Sequence, residues 1–385
     1  MQDSASKNTI SGETFELPPQ QTRLEEFWSQ LRKNRLAFTG LVIFGFFFLV
    51  AVVGMILTTG TSPMLDPSLV RLQEKLRPPL SGPNLESLLP EEVPPLRVYL
   101  LGTDELGRDV FARMLQGAWV SLTVGFVAVG LAVIIGVLLG GLSGYYGQNS
   151  IRVGQVILVL LAMWVALGWS RMSGVYLVIL AAMAMVVLAS MVLLRGERTY
   201  GVFSFLDARL ISVDALITSL IDIMLCFPSF FLILTVVALL PASIYNIMVI
   251  IGLTSWMGAA RFVRAEFLSL REQDFVTAAR ALGVSDWRII FRHMVPNAIA
   301  PVLVSATIGI AGAILTEAGL SFLGFGVPPP HATWGNILSD GKNYLFDAPW
   351  LTVIPGVAIL VVVLSFNLFG EGLRDILNPK LRERH

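Results

Sequence analysis

Eight blocks of apolar sequence, each close to the length of a membrane-crossing helix, constrain this chain more than any other feature. They fall at roughly 36–58, 119–146, 153–170, 174–194, 216–240, 244–262, 298–321 and 350–370. A helix rises about 1.5 Å per residue, so about 20 apolar residues cross the hydrocarbon core of a bilayer. A soluble core has no need of such runs. Only 14% of the residues are charged and 55% are hydrophobic, against about a quarter charged in soluble domains. The expected fold class is all-α, a polytopic transmembrane helical bundle. Only the stretch from Ser170 to Ser173 separates the blocks 153–170 and 174–194. That pair reads as a membrane hairpin, with Arg152 and Gln155 at its start, lying at the periphery and facing lipid.

Several function classes find little support. The 27 basic residues are matched by 27 acidic ones, which gives nucleic acid no basic surface to bind. One cysteine, Cys226, and three scattered histidines leave no internal disulfide and no Cys-based metal site. No Gly-rich phosphate loop ending in Lys-Ser/Thr occurs, so ATP hydrolysis is not expected of this chain and no cofactor is expected in it. The first apolar block follows a polar N-terminal stretch and is too long for a signal peptide core, so it reads as an uncleaved span.

Basic residues give the orientation. With the N-terminus inside, most Lys and Arg fall in inside segments, and the short outside loops hold only Arg171 and Lys342. The expected layout is a cytoplasmic segment 1–35, a first span 36–58 and an extracytoplasmic loop 59–118. A transmembrane domain 119–370 and a cytoplasmic tail 371–385 follow. Pro78, Pro79, Pro94 and Pro95 argue against long helices in 59–118.

The most informative inside segment is 264–297. Phe275, Ala278, Ala279 and Leu282 recur at helical spacing, and Gly283 is placed to end the helix. Ser285 is placed to cap a second helix with Trp287, Ile290 and Phe291 on its apolar side. Pro296 stands where the next span begins, a position that tolerates a missing N–H. The small residues Ala278, Ala279 and Gly283 let a partner approach closely. An ordinary amphipathic helix lying on the membrane has the same periodicity.

The order Thr277-Ala278-Ala279, Gly283, Val295-Pro296 resembles the EAA loop of ABC importer permeases, with Thr277, His293 and Val295 departing from that pattern. The segments 101–122, 144–147, 222–230, 317–330, 333–338 and 366–379 resemble the dipeptide and oligopeptide branch of that family, in its second-permease form. The resemblance implies a bacterial-type inner membrane location with both termini cytoplasmic. It also implies a homologous second permease, two cytoplasmic ATPases that hold ATP and Mg, and an extracytoplasmic substrate-binding protein. Phe275, Thr277, Ala278, Ala279, Arg280, Leu282, Gly283 and Pro296 are then the candidates for ATPase coupling.

Relative to that family, the chain carries an insertion at 150–210. An even number of added spans keeps the 264–297 loop inside. Asp222, Pro228 and Glu317 lie in or beside apolar blocks, where an ionisable group or a helix-breaking proline marks a candidate for pathway or gating. Each also has a plain structural reading: Asp222 as a snorkelling or capping carboxylate, Pro228 as a kink accommodated by packing, and Glu317 as a hydrated structural group near the outer interface. Asp104, Arg108 and Asp109 suggest a polar cluster, with Asp104 the expected cap of the second span. The rival to an importer permease is a secondary transporter or channel. That reading calls for polar groups deep in several spans, and few occur.

Overall fold

The computed structural model describes residues 23–61, 63–147, 150–152 and 209–377. Its helices are α1 (Arg23–Lys33), α2 (Arg35–Thr58), α3 (Val110–Tyr146), α4 (Val213–Leu225), α5 (Ser229–Leu239), α6 (Ile244–Leu270), α7 (Asp274–Ala281), α8 (Asp286–Phe322), α9 (Trp334–Gly341) and α10 (Trp350–Leu377). Five of them, α2, α3, α6, α8 and α10, are long and apolar enough to cross a membrane. The pair α4 and α5 makes a sixth if the two count as one span. The expected hairpin at 153–170 and 174–194 lies outside the described residues.

Two expected spans differ in the structure. The block 216–240 is two helices meeting at 80°. Pro228 has no N–H and disfavours helical backbone at Phe227, so α4 stops at Leu225 and α5 restarts with Pro228 at its N-cap position. The second span begins at Val110, well before 119. Its first turns contain Arg113 and Gln116, which look like loop residues in sequence but are buried here. The Gln116 Oε1 accepts the Ala332 N–H at 2.6 Å.

The closest helix pairing is α3 against α6. Gly136, Gly140 and Gly144 stand one turn apart along α3 and face Ala259, Ala260 and Phe267 of α6. A methyl group added at Gly136 sits 2.5 Å from the Ala259 Cβ, and one added at Gly144 sits 2.5 Å from the Phe267 Cβ. Small residues spaced by four let two backbones approach, which is how helices gain packing energy where lipid is already apolar. Around this seam a continuous core gathers side chains from α2, α3, α5, α6, α8 and α10, with Ile251, Ile314, Leu320 and Trp334 fully enclosed.

Two strands, Ser150–Arg152 and Arg209–Ser212, pair antiparallel, with Ser150 opposite Ser212. Residues 150–152 and 209–212 therefore lie side by side.

The described residues between α2 and α3 form an irregular cap with a 3-10 turn at Leu72–Glu74. The Asp104 carboxylate is fully buried. It accepts the N–H groups of Leu106 and Arg108 at 2.9 Å and the guanidinium groups of Arg108 and Arg113 at 2.6 Å. Asp340 of α9 accepts from the same two arginines at 3.1 and 2.9 Å. The helix cap expected of Asp104 is instead made by Asp109, whose Oδ1 accepts the Phe111 N–H at 2.9 Å.

Candidate functional site

The residues between α6 and α8 form an elbow at the opposite end of α3 from this cap. α6 ends at Leu270, and two residues beyond its C-cap Arg271 the chain turns into α7. Gly283 has φ +73°, a left-handed conformation open to glycine at little cost. Its N–H bonds the Arg280 carbonyl at 2.9 Å, and the Val284 N–H bonds the Ala279 carbonyl at 3.1 Å. These two bonds are the pair that closes a helix through a left-handed glycine. Ser285 occupies the N-cap position of α8, but its side chain makes no capping hydrogen bond. Its carbonyl accepts the Ile289 N–H at 3.0 Å instead.

Pro296 was expected to open a separate span. It lies instead within α8, just past a π-helical turn at Ile289–Met294 where the Val295 N–H reaches back to the Ile290 carbonyl. Such a widened turn is a recognised way for a helix to absorb a local break in its ladder. The stretch that follows the Gly283 turn, Asp286–Phe322, is consequently one continuous helix.

The inner side of the elbow is keyed into the bundle. Val276, Ile289 and Met294 are fully buried, in one cluster with Tyr145 of α3 and with Val263 and Phe267 of α6. Each such side chain contributes about 1.5–3 kcal/mol by leaving water. Polar contacts finish the joint. The hydroxyls of Tyr145 and Tyr146 donate to the Asp286 carboxylate at 2.6 and 3.2 Å. The Arg280 guanidinium lies over the Tyr145 ring at 4.8 Å, and the two tyrosine rings meet edge to face. Nearby, the Arg264 guanidinium donates to the Asp214 carboxylate from two nitrogens, and Ser143 donates to the same group. That clasp ties α3, α4 and α6 together.

The outer side is different. Leu282 is 83% exposed, Trp287 66%, Phe275 41% and Phe291 37%. The Trp287 and Phe291 rings lie 4.1 Å apart. Thr277, Ala278 and Arg280 are also exposed, while Ala279 is buried. The predicted stripe of Phe275, Ala278, Ala279 and Leu282 therefore splits. Ala279 joins Val276 against the bundle, and the other three face outward.

The remaining candidates do not join this site. Asp222 is exposed on α4 and accepts from Arg261 of α6 at 2.6 Å. Pro228 stands at the α4–α5 break. Glu317 is fully buried in α8, where Ser321 donates to it at 2.6 Å and Ser121 at 3.4 Å. Two contacts of the elbow were given no role in sequence, the Tyr145–Tyr146 pair and Asp286. The tyrosines lie in the segment 144–147, which drew notice only for its resemblance to the family.

Comparison with known proteins gives the family of the chain. Residues 202–383 match the model of the binding-protein-dependent transport system inner membrane component, and residues 22–79 match that of the N-terminal transmembrane domain of oligopeptide transport permease C. A dipeptide transport system permease protein of Alkalihalophilus pseudofirmus is 35% identical over 93% of this chain and 90% of its own length. The dipeptide transport system permease protein of Haemophilus influenzae is 33% identical over 94% of this chain and 96% of its own length. The oligopeptide transport system permease protein of Bacillus subtilis is 31% identical over 92% of this chain and 88% of its own length. Identity at that level over nearly the whole chain settles the assignment, and this protein belongs to the family of binding-protein-dependent transport system inner membrane components.

Proposed function

We propose that this chain is one of two homologous permeases of an ATP-driven importer of di- and oligopeptides, and that its elbow is the grip for a cytoplasmic ATPase. The observation that carries the coupling role is the outward apolar group of Phe275, Leu282, Trp287 and Phe291 on a rigidly seated element. Large apolar side chains gathered on a polar loop mark a docking surface. The cargo follows from the relatives, which are dipeptide and oligopeptide transport permeases.

In this reading two ATPase subunits bind ATP and Mg, and an extracytoplasmic binding protein delivers the peptide. Both termini and the elbow lie on the cytoplasmic side of the inner membrane. Closure of the ATPase pair displaces the elbow. The displacement passes to α8 along one continuous helix, to α6 through the short turn at 271–273, and to α3 through Asp286 and the two tyrosines. Nucleotide then shifts the population between inward-open and outward-open bundles.

The test is peptide-stimulated ATP hydrolysis by the assembled transporter. Gly283→Val strains the left-handed turn, and Leu282→Asp puts a charge on the outer face. Both are expected to remain inserted in the membrane and to lose stimulation. Full stimulation in both variants contradicts the coupling role.

A further inference from the structure

A cavity of about 640 Å³ opens between α6, α8 and α10 at the elbow end of the bundle. Its walls include Glu266 of α6, Asn297, Pro301, Ser305 and Ile308 of α8, and Arg374 of α10. Sites for small molecules commonly enclose about 300–1,000 Å³. The wall carries one acid and one base. Among the described residues neither Glu266 nor Arg374 has an ion-pair or hydrogen-bond partner. The other arginines of the same stretch, Arg261, Arg264 and Arg271, are all paired. Pro301 adds a second feature. It has no N–H to give the Asn297 carbonyl one turn earlier, so the helix lacks that bond at a wall both residues line.

Glu266 is partly buried and Arg374 is exposed, so both charges are open to a solute that enters the cavity. The two unpaired groups are of opposite sign and line one cavity, where a molecule carrying both charges can meet both. We infer that this cavity is an inner holding site for a zwitterionic solute, its anionic end on Arg374 and its ammonium end on Glu266 and the Asn297 carbonyl. A short peptide has that chemistry, and so does an ethanolamine phospholipid headgroup. The inference deepens the transport reading and rests on it, since it assigns the solute a resting place on its way through the permease.

The test uses the assembled transporter in membrane vesicles, with Cys226→Ser removing the native thiol and Ser305→Cys placing one in the cavity. The rate of maleimide labelling is measured without ATP, with and without dialanine. At twice its Kd a ligand fills about two thirds of its sites, so labelling slows about threefold. The expected result is that slowing, and its loss when Glu266→Gln and Arg374→Gln are added. No labelling of Cys at 305, no protection, or equal protection in the Glu266→Gln/Arg374→Gln protein overturns the site. Labelling that responds to ethanolamine lipid in the vesicles and not to dialanine assigns the cavity to lipid and overturns it as well. Dialanine uptake by the Cys226→Ser transporter is scored separately. Uptake without protection overturns the holding site alone, and absence of uptake overturns the proposed cargo.

Discussion

The two ends of α3 are built on opposite plans. At Val110 the helix enters a cap sealed by buried charge, with Asp104, Arg108, Arg113 and Asp340 sharing short hydrogen bonds and most of their surface enclosed. At Tyr146 it meets an elbow seated by apolar packing and two tyrosine hydroxyls, with large apolar side chains left facing out. A buried ionic network fixes a single geometry, because any displacement leaves a charge unpaired. Apolar packing backed by a few hydrogen bonds costs less to shift. The contrast suits a bundle that is held at one end and pulled at the other.

The comparison can be broken most severely at the cap. Arg113→Met removes the guanidinium shared by Asp104 and Asp340, and breaking such a buried pair costs about 3–5 kcal/mol. The expected result is a large drop in the thermal midpoint of the purified protein, and an unchanged midpoint contradicts the sealed-cap account. Next in size is the seam. Gly140→Val forces α3 off α6, and overpacking costs about 1–3 kcal/mol. That variant is expected to melt early in detergent. At the elbow, Tyr145→Phe removes one bond to Asp286, worth about 1 kcal/mol. It is expected to leave the midpoint nearly unchanged while lowering peptide-stimulated ATP hydrolysis. If the midpoint falls as far as in Arg113→Met, the two ends are not built differently. The smallest effect belongs to Asp222→Asn. Its partner Arg261 is solvent-exposed, and such pairs are worth about 0–1 kcal/mol. Loss of transport there without loss of stability sharpens Asp222 into a pathway residue.

Much of this was readable in sequence, for physical reasons that also mark the limits. Length and apolarity identify α2, α6, α8 and α10 because a bilayer admits few alternatives. Gly283 is legible as a helix stop because the left-handed turn favours one residue type. The early start of α3 is hidden because Arg113 and Gln116 find partners at Asp340 and Ala332, more than two hundred residues away. The split of the elbow stripe is hidden in the same way. Periodicity locates an apolar face but not the neighbour it meets, and it is Val276, between the predicted positions, that completes the buried side. Pro228 signals a break without giving its 80° angle, which depends on how α5 packs against α6.

The central claim is that the outward face of the elbow lies inside the cell and is covered by an ATPase. The direct measurement is labelling of Leu282→Cys in a Cys226→Ser background with a membrane-impermeant maleimide. Sealed vesicles of each orientation are compared, with and without the ATPase subunits. The account predicts labelling only where the cytoplasmic face is exposed, with strong protection once the ATPases are bound. Labelling from the outer face, or an equal rate with the ATPases present, contradicts it.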